Sequence, residues 1–139
     1  MNIPLRFSYS STTARQTRPG LLAYLPLTLT HEVKKLTISG LLDTGSTVNV
    51  LPYAIGLELG LLWEEQDVSV ALTGSLARIP AKGVVISGQV GSFDPINLVF
   101  AWTQAQEVPM ILGQMNFFME YDVCFLRSQS LFEIKPKSS

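Results

Sequence analysis

Leu41-Leu42-Asp43-Thr44-Gly45-Ser46, continuing as Thr47-Val48-Asn49-Val50-Leu51, carries a lone carboxylate from an apolar run into a tight turn and back into an apolar run. Gly45 lets backbone amides come close to the Asp43 carboxylate. Thr44 and Ser46 add hydroxyls that can donate to backbone or carboxylate oxygens. Asp, Thr, Gly and Ser are all ordinary turn residues, so the tripeptide alone describes any β-turn. Its setting is what adds weight: Leu-Leu before it, Val-Asn-Val-Leu after it, and Ile111-Leu112-Gly113 far down the chain.

Outward from this turn, the pattern is short strand, turn, short strand. Residues 21–30 are rich in Leu and Thr, and residues 36–39 alternate as a half-buried strand does. Further strands are expected over 48–51, 84–86, 96–102, 121–126 and 131–135. Pro52 can open a short helix that stops near Gly60, and a second short helix is expected over 115–120. Residues 68–72 and 76–81 read as a hairpin with Thr73-Gly74-Ser75 at its tip. The 10 glycines and 8 prolines fall mostly between these runs. Short strands at such spacing predict a mostly all-β domain.

The composition sets limits on function. A chain of 139 residues is the size of one domain, here read as 1–139 with its core over about 21–136. Residues 1–20 read as a flexible or removable leading segment. With 47% hydrophobic and 15% charged residues, the chain is too apolar to be disordered. Ten basic residues against eleven acidic ones, and a pI near 5.7, argue against nucleic acid as a partner. One cysteine, Cys124, excludes an internal disulfide, and with one histidine, His31, a zinc or Ser-His-Asp site would be sparse. No apolar run approaches the roughly eighteen residues of a membrane helix. The expectation is a cytoplasmic protein with no membrane partner. Gly88-Gln89-Val90-Gly91 lacks the Lys-Ser/Thr of a phosphate loop. So much apolar content with so little charge points to apolar surface covered by a partner. His31 is expected to be exposed, Cys124 buried and inert, Trp63 and Trp102 in core or interface, and Glu64, Glu65, Asp67, Asp94 and Asp122 solvated.

The chain resembles the retropepsin-like, single-domain aspartic proteases. The matching residues are Leu42 through Leu51, Gly60-Leu61 and Met110-Ile111-Leu112-Gly113. Gly113-Gln114-Met115-Asn116-Phe117-Phe118, followed by Tyr121-Asp122-Val123, is similar to the short helix and final strands of bacterial members. The resemblance implies a closed β barrel with one short C-terminal helix, a flap hairpin, and a symmetric homodimer with its active site on the two-fold axis. It implies a polypeptide substrate and no cofactor or metal. Asp43 would be the catalytic residue, Thr44 would cross-link the two active-site turns, and Gly45 would supply close backbone approach. Residues 70–80 would form the flap, with Leu72, Thr73, Gly74 and Ser75 near its tip. Ile111 would line the substrate groove. Gln114 stands where retroviral members carry an arginine that ties the dimer together, so the contacts between subunits must differ here.

The chemistry agrees with the resemblance. Hydrolysis by carboxylates needs two of them around one water, and like charges so close share a single proton. One acts as base on the water, and the other donates to the carbonyl oxygen. This chain has one Asp-Thr-Gly, so the pair has to come from two copies related by a two-fold axis. Ser46 is expected to donate to the outer oxygen of Asp43, which would favour an acidic optimum. Ile3-Pro4-Leu5-Arg6-Phe7 and Leu131-Phe132-Glu133-Ile134 are either interface strands or core strands. Two rival readings remain. One is an inactive module of the same fold that dimerises or binds peptide; the other is a small β-barrel binding domain in which Asp43 is only a turn residue.

Overall fold

The structure, a computed structural model, describes residues 3–10 and 21–138. Residues 1–2 and 11–20 of the expected leading segment lie outside the described residues. Six strands close a barrel: β2 (Tyr24–His31) beside β3 (Lys34–Leu42), then β7 (Ile111–Leu112), β4 (Asn49–Pro52), β6 (Ile96–Thr103) and β5 (Ala81–Gln89), which returns to β2. A second sheet places β9 (Leu131–Pro136) between β1 (Leu5–Ser8) and β8 (Tyr121–Leu126). Two short helices, α1 (Tyr53–Glu58) and α2 (Phe117–Glu120), complete the regular structure together with three single turns of 3-10 helix. The barrel and the C-terminal helix are as expected, and α1 is the helix opened by Pro52.

The alternation that predicts the strands also builds the core. In β2, Leu25, Leu27 and Leu29 point inward while Pro26 and Thr28 point away. The β2–β3 hairpin pairs from Tyr24 against Leu41 to His31 against Lys34. The core collects Trp102, Phe100, Phe117, Phe132 and a set of leucines, all essentially without exposed surface. Each contributes about 1.5–3 kcal/mol by leaving water. The exposed Arg6–Glu133 and Lys137–Glu120 ion pairs are each worth at most about 1 kcal/mol. The three-stranded sheet is therefore held mainly by Phe132 and Ile134, which are completely buried, and by the Phe7 ring stacked on Phe132 at 5.5 Å.

β1 and β9 pair with each other inside one chain, Leu5 opposite Ile134 and Phe7 opposite Phe132, and β9 buries Phe132 and Ile134 in the core. Cys124 is exposed, contrary to expectation: β8 turns Tyr121 and Val123 inward, which leaves Asp122 and Cys124 on the outer face. His31 is half-buried instead of exposed, because its Nδ1–H donates to the Leu59 carbonyl at 2.9 Å. Trp102 is a core residue, stacked on Tyr53 and edge-on to Trp63. Burial pushes the Tyr121 phenol above its usual range, with the carboxylates of Glu120 and Asp94 adding to the effect. No helix among the described residues is long and apolar enough to cross a membrane.

Candidate active site

The barrel order sets the position of Asp43. β7 runs parallel to β3 and antiparallel to β4, so it fills the gap between the strands that enter and leave the Asp43 turn. Leu41 N–H donates to Met110 O at 2.8 Å and Asp43 N–H to Leu112 O at 3.0 Å. These bonds tie the end of β3 down up to the residue that bears the carboxylate. Asp43 is half-buried, while Thr44 and Gly45 form the exposed tip. Ser46 N–H closes the turn onto the Asp43 carbonyl at 3.1 Å. Gly45 N–H donates to Asp43 Oδ1 at 2.9 Å. A Cβ on Gly45 would stand 3.3 Å from that same oxygen, so a side chain there would crowd the carboxylate.

The expected bond from Ser46 to Asp43 is not formed. The Ser46 hydroxyl donates to the Val48 carbonyl at 2.7 Å and braces the exit from the turn. This removes the ground on which Ser46 was expected to favour an acidic optimum.

A second layer supports the turn from below. Gln114 N–H donates to Ser46 O and Met115 N–H to Thr47 O, both at 2.8 Å. The Gln114 side chain reaches the other end of the turn, its Nε2 donating to Thr44 O at 2.7 Å. Gly113 is pressed against this layer: a Cβ there would lie 2.4 Å from Val48 O and 2.8 Å from Ser46 O.

The expected flap differs in form. Residues 68–80 double back, with Val70 N–H donating to Ala81 O and Gly83 N–H donating to Val68 O. Ser69 and Lys82 form a single bridge, and Gly74–Leu76 is a turn of 3-10 helix with Gly74 at φ +66°. The arm is thus not a pair of regular strands. It lies down on the barrel, with Leu72 buried among Val50, Ala81 and Ala101. Thr73, Gly74 and Ser75 stay exposed.

Arm and turn enclose a cleft of about 120 Å³ lined by Gly45, Ser46, Leu72, Thr73 and Ile111, together with Thr47, Val48, Val50, Ala71 and Leu76. The expected groove residues Leu72, Thr73 and Ile111 therefore meet the Asp43 turn, whereas Gly74 and Ser75 do not line the cleft. No charged side chain lines it. On the far side of Val48 lies a larger apolar cleft of about 470 Å³, with Val68, Val70, Val99, Met115 and Met119 in its walls. Among the described residues, no group of three or more His, Cys, Asp or Glu side chains is placed to hold a metal ion.

A retropepsin-like aspartic protease from Rickettsia conorii superposes on 96% of this chain and 91% of its own, with a TM-score of 0.66 at 13% sequence identity. This chain has the retropepsin-like fold. The EIAV protease, in a complex with the inhibitor HBY-793, aligns over 73% of this chain and 88% of its own, with a TM-score of 0.49 and 16% identity. No protein-family model and no curated protein matches the sequence.

Within this retropepsin-like barrel, two asparagines act where sequence reading assigned them no role. Asn49 is fully buried at the start of β4. Its Oδ1 accepts from Gly113 N–H at 2.8 Å, and its Nδ2 donates to Val99 O and to Asn116 Oδ1, both at 3.0 Å. Asn116 Oδ1 also accepts from Val99 N–H at 2.8 Å, and Asn116 Nδ2 donates to Asn97 O at 3.1 Å. The pair joins β4, β6 and the approach to α2 directly beneath the Asp43 turn. The available signal was a polar residue inside the apolar run Val48-Asn49-Val50-Leu51. Replacing Asn49 with Ala strands the Gly113 N–H and removes a donor from Asn116. The expected loss is about 2–3 kcal/mol, read as a lower urea midpoint at unchanged slope. A midpoint equal to that of wild type would show that the network does not hold the turn.

Proposed function

We propose that this protein is an aspartic endopeptidase that works as a homodimer at acidic pH, each subunit contributing Asp43. The observation that carries the reading is one half-buried carboxylate, held by Gly45 N–H, in the turn whose next residues, Gly45 and Ser46, line a cleft without any charged side chain. A single carboxylate cannot serve as base and acid in the same step. A second copy across a two-fold axis supplies the missing partner. The fold shared with the Rickettsia conorii aspartic protease supports the same reading.

In the proposed reaction, a water sits between the two Asp43 carboxyl groups, which share one proton. The ionised carboxylate takes a proton from the water as its oxygen attacks the peptide carbonyl carbon. The protonated one donates to the carbonyl oxygen. The tetrahedral intermediate collapses with cleavage of the C–N bond, and a proton returns to the leaving nitrogen. No bond forms between enzyme and substrate. Sharing a proton requires one carboxyl to be neutral, and this is what places the activity at acidic pH. Thr44 is exposed at the tip of the turn, and its hydroxyl would bond to the opposite turn. The substrate would lie extended beneath the arm, its backbone pairing as an added strand. Val48, Val50, Leu72 and Ile111 favour apolar side chains flanking the cut.

The test is peptide cleavage at acidic pH over a range of dilutions, with sedimentation run in parallel. At concentrations where monomer dominates, the rate is expected to rise as the square of protein concentration. A rate strictly proportional to concentration in a sedimenting monomer would sink the reading. No cleavage by a stable dimer would favour the inactive binding module.

A further inference from the structure

We infer that Gln114 is a positioning residue for the Asp43 carboxylate, acting through the Thr44–Gly45 peptide. The inference rests on the reading of Asp43 as the catalytic group. One peptide unit contributes both partners: its carbonyl, on Thr44, accepts from Gln114 Nε2 at 2.7 Å, and its N–H, on Gly45, donates to Asp43 Oδ1 at 2.9 Å. Only the amide nitrogen of Gln114 can donate to a carbonyl, so the side chain has one productive orientation. A donor on the carbonyl polarises the peptide and strengthens its N–H as a donor at the other end. It also fixes the rotation of the peptide plane, and with it the direction of the N–H toward the carboxylate.

Gln114 is well anchored for this role. Its own N–H is bonded to Ser46 O, and the neighbouring Gly113 N–H is bonded to Asn49 Oδ1. Backbone and side chain together span the turn from Thr44 to Ser46. The side chain is solvent-exposed and lies outside the buried core. A purely structural residue at such a place would act on the stability of the fold, not on one oxygen of one carboxylate.

The experiment compares wild type with Gln114→Met, similar in length but without a donor, and Gln114→Glu. The Met variant is expected to keep its sedimentation behaviour and its KM within about twofold, and to lose about tenfold in kcat. The Glu variant should recover toward wild type below about pH 4, where its carboxyl is protonated and can donate, and fall away as it ionises. Independently of activity, the Gly45 amide proton in the Met variant should move upfield in NMR and exchange faster. The Asp43 amide, bonded to Leu112 O, should not change. Unchanged kcat together with an unchanged Gly45 resonance would overturn the inference. A Glu variant that tracks the Met variant at every pH would overturn it too. Failure of the catalytic reading looks different: wild type itself is then inactive, or Asp43→Asn is as active as wild type, while the Gly45 resonance still reports on Gln114.

Discussion

Asp43→Asn protein is expected to be inert by itself and to poison wild type when the two are mixed. Alone, it should lose at least roughly 10³-fold in peptide cleavage, because Asn can neither take the proton from water nor hold the proton the pair must share. The fold should survive. Asp43 is only half-buried, and the turn's backbone bonds to Leu112 O and from Ser46 N–H do not involve its carboxylate. The amide oxygen of Asn can still accept from Gly45 N–H. On the proposed mechanism, chains in the mixture would assort at random into symmetric dimers, and only the dimers with two Asp43 side chains would work. An equal amount of Asp43→Asn should then cut the activity of a fixed amount of wild type to about one-half, and a ninefold excess to about one-tenth. A protein that works as a monomer would keep its full activity in both mixtures. The titration therefore separates a carboxylate that is merely necessary from one that must meet its own copy. Undiminished activity in the mixture, with exchange of subunits verified, would remove the dimer from the mechanism.

The sequence was readable where the physics is local. The Leu25, Leu27, Leu29 alternation is a property of the pleat, and it predicts β2 without knowledge of its neighbours. The Asp43 turn is also local: a carboxylate, two hydroxyl residues and a glycine between apolar runs announce themselves in six residues. Long-range pairing was much less visible. β7 is two residues long, and its place between β3 and β4 depends on parallel pairing across about seventy positions of chain. Nothing in Ile111-Leu112 states that partner choice.

The errors have the same origin. Ser46 has candidate acceptors on both sides in sequence, the Asp43 carboxylate and the Val48 carbonyl, and only the folded turn shows that its hydroxyl takes Val48 O. Cys124 lies among alternating residues of β8, and its side was decided by which face of the sheet covers the core. The arm was expected to stand as a hairpin flap. Instead, Leu72 drops into a small apolar cluster with Val50, Ala81 and Ala101, and its burial outweighs regular strand pairing. The support of the turn was hidden for a further reason. Asn49, Gln114 and Asn116 act through hydrogen bonds between segments remote in sequence, and a polar residue shows its partner only after folding.

A single methyl group at Gly113 is expected to cost much of the fold's stability. A Cβ there would lie 2.4 Å from the Val48 carbonyl oxygen and 2.8 Å from both the Val48 carbonyl carbon and Ser46 O. These obstacles are backbone atoms of the segment leaving the Asp43 turn, so no side-chain rotation can relieve them. The contrast is Gly40, where the atoms nearest an added Cβ belong to the Leu112 and Met110 side chains, at 2.9–3.0 Å. At Gly113 the chain must either push residues 46–48 away or give up the bond to Asn49 Oδ1. Gly113→Ala should therefore cost about 3 kcal/mol, the upper part of the usual range for overpacking, and lower the melting temperature by roughly 10 °C. Gly40→Ala should cost about 1 kcal/mol. Activity should fall further than stability explains. At a temperature where the Gly113→Ala chains remain folded, the shift of Ser46 and Val48 would still move the Asp43 turn and narrow the cleft, and misplacement on the order of 1 Å can cost about 100-fold in rate. Urea midpoints for both variants, with cleavage rates measured well below their melting temperatures, check the two parts separately. If Gly113→Ala melted with wild type, the close approach of β7 to the segment after Asp43 would be wrong. If it melted early but cleaved at the wild-type rate when folded, the packing would be right and its claimed hold on the catalytic turn would be refuted.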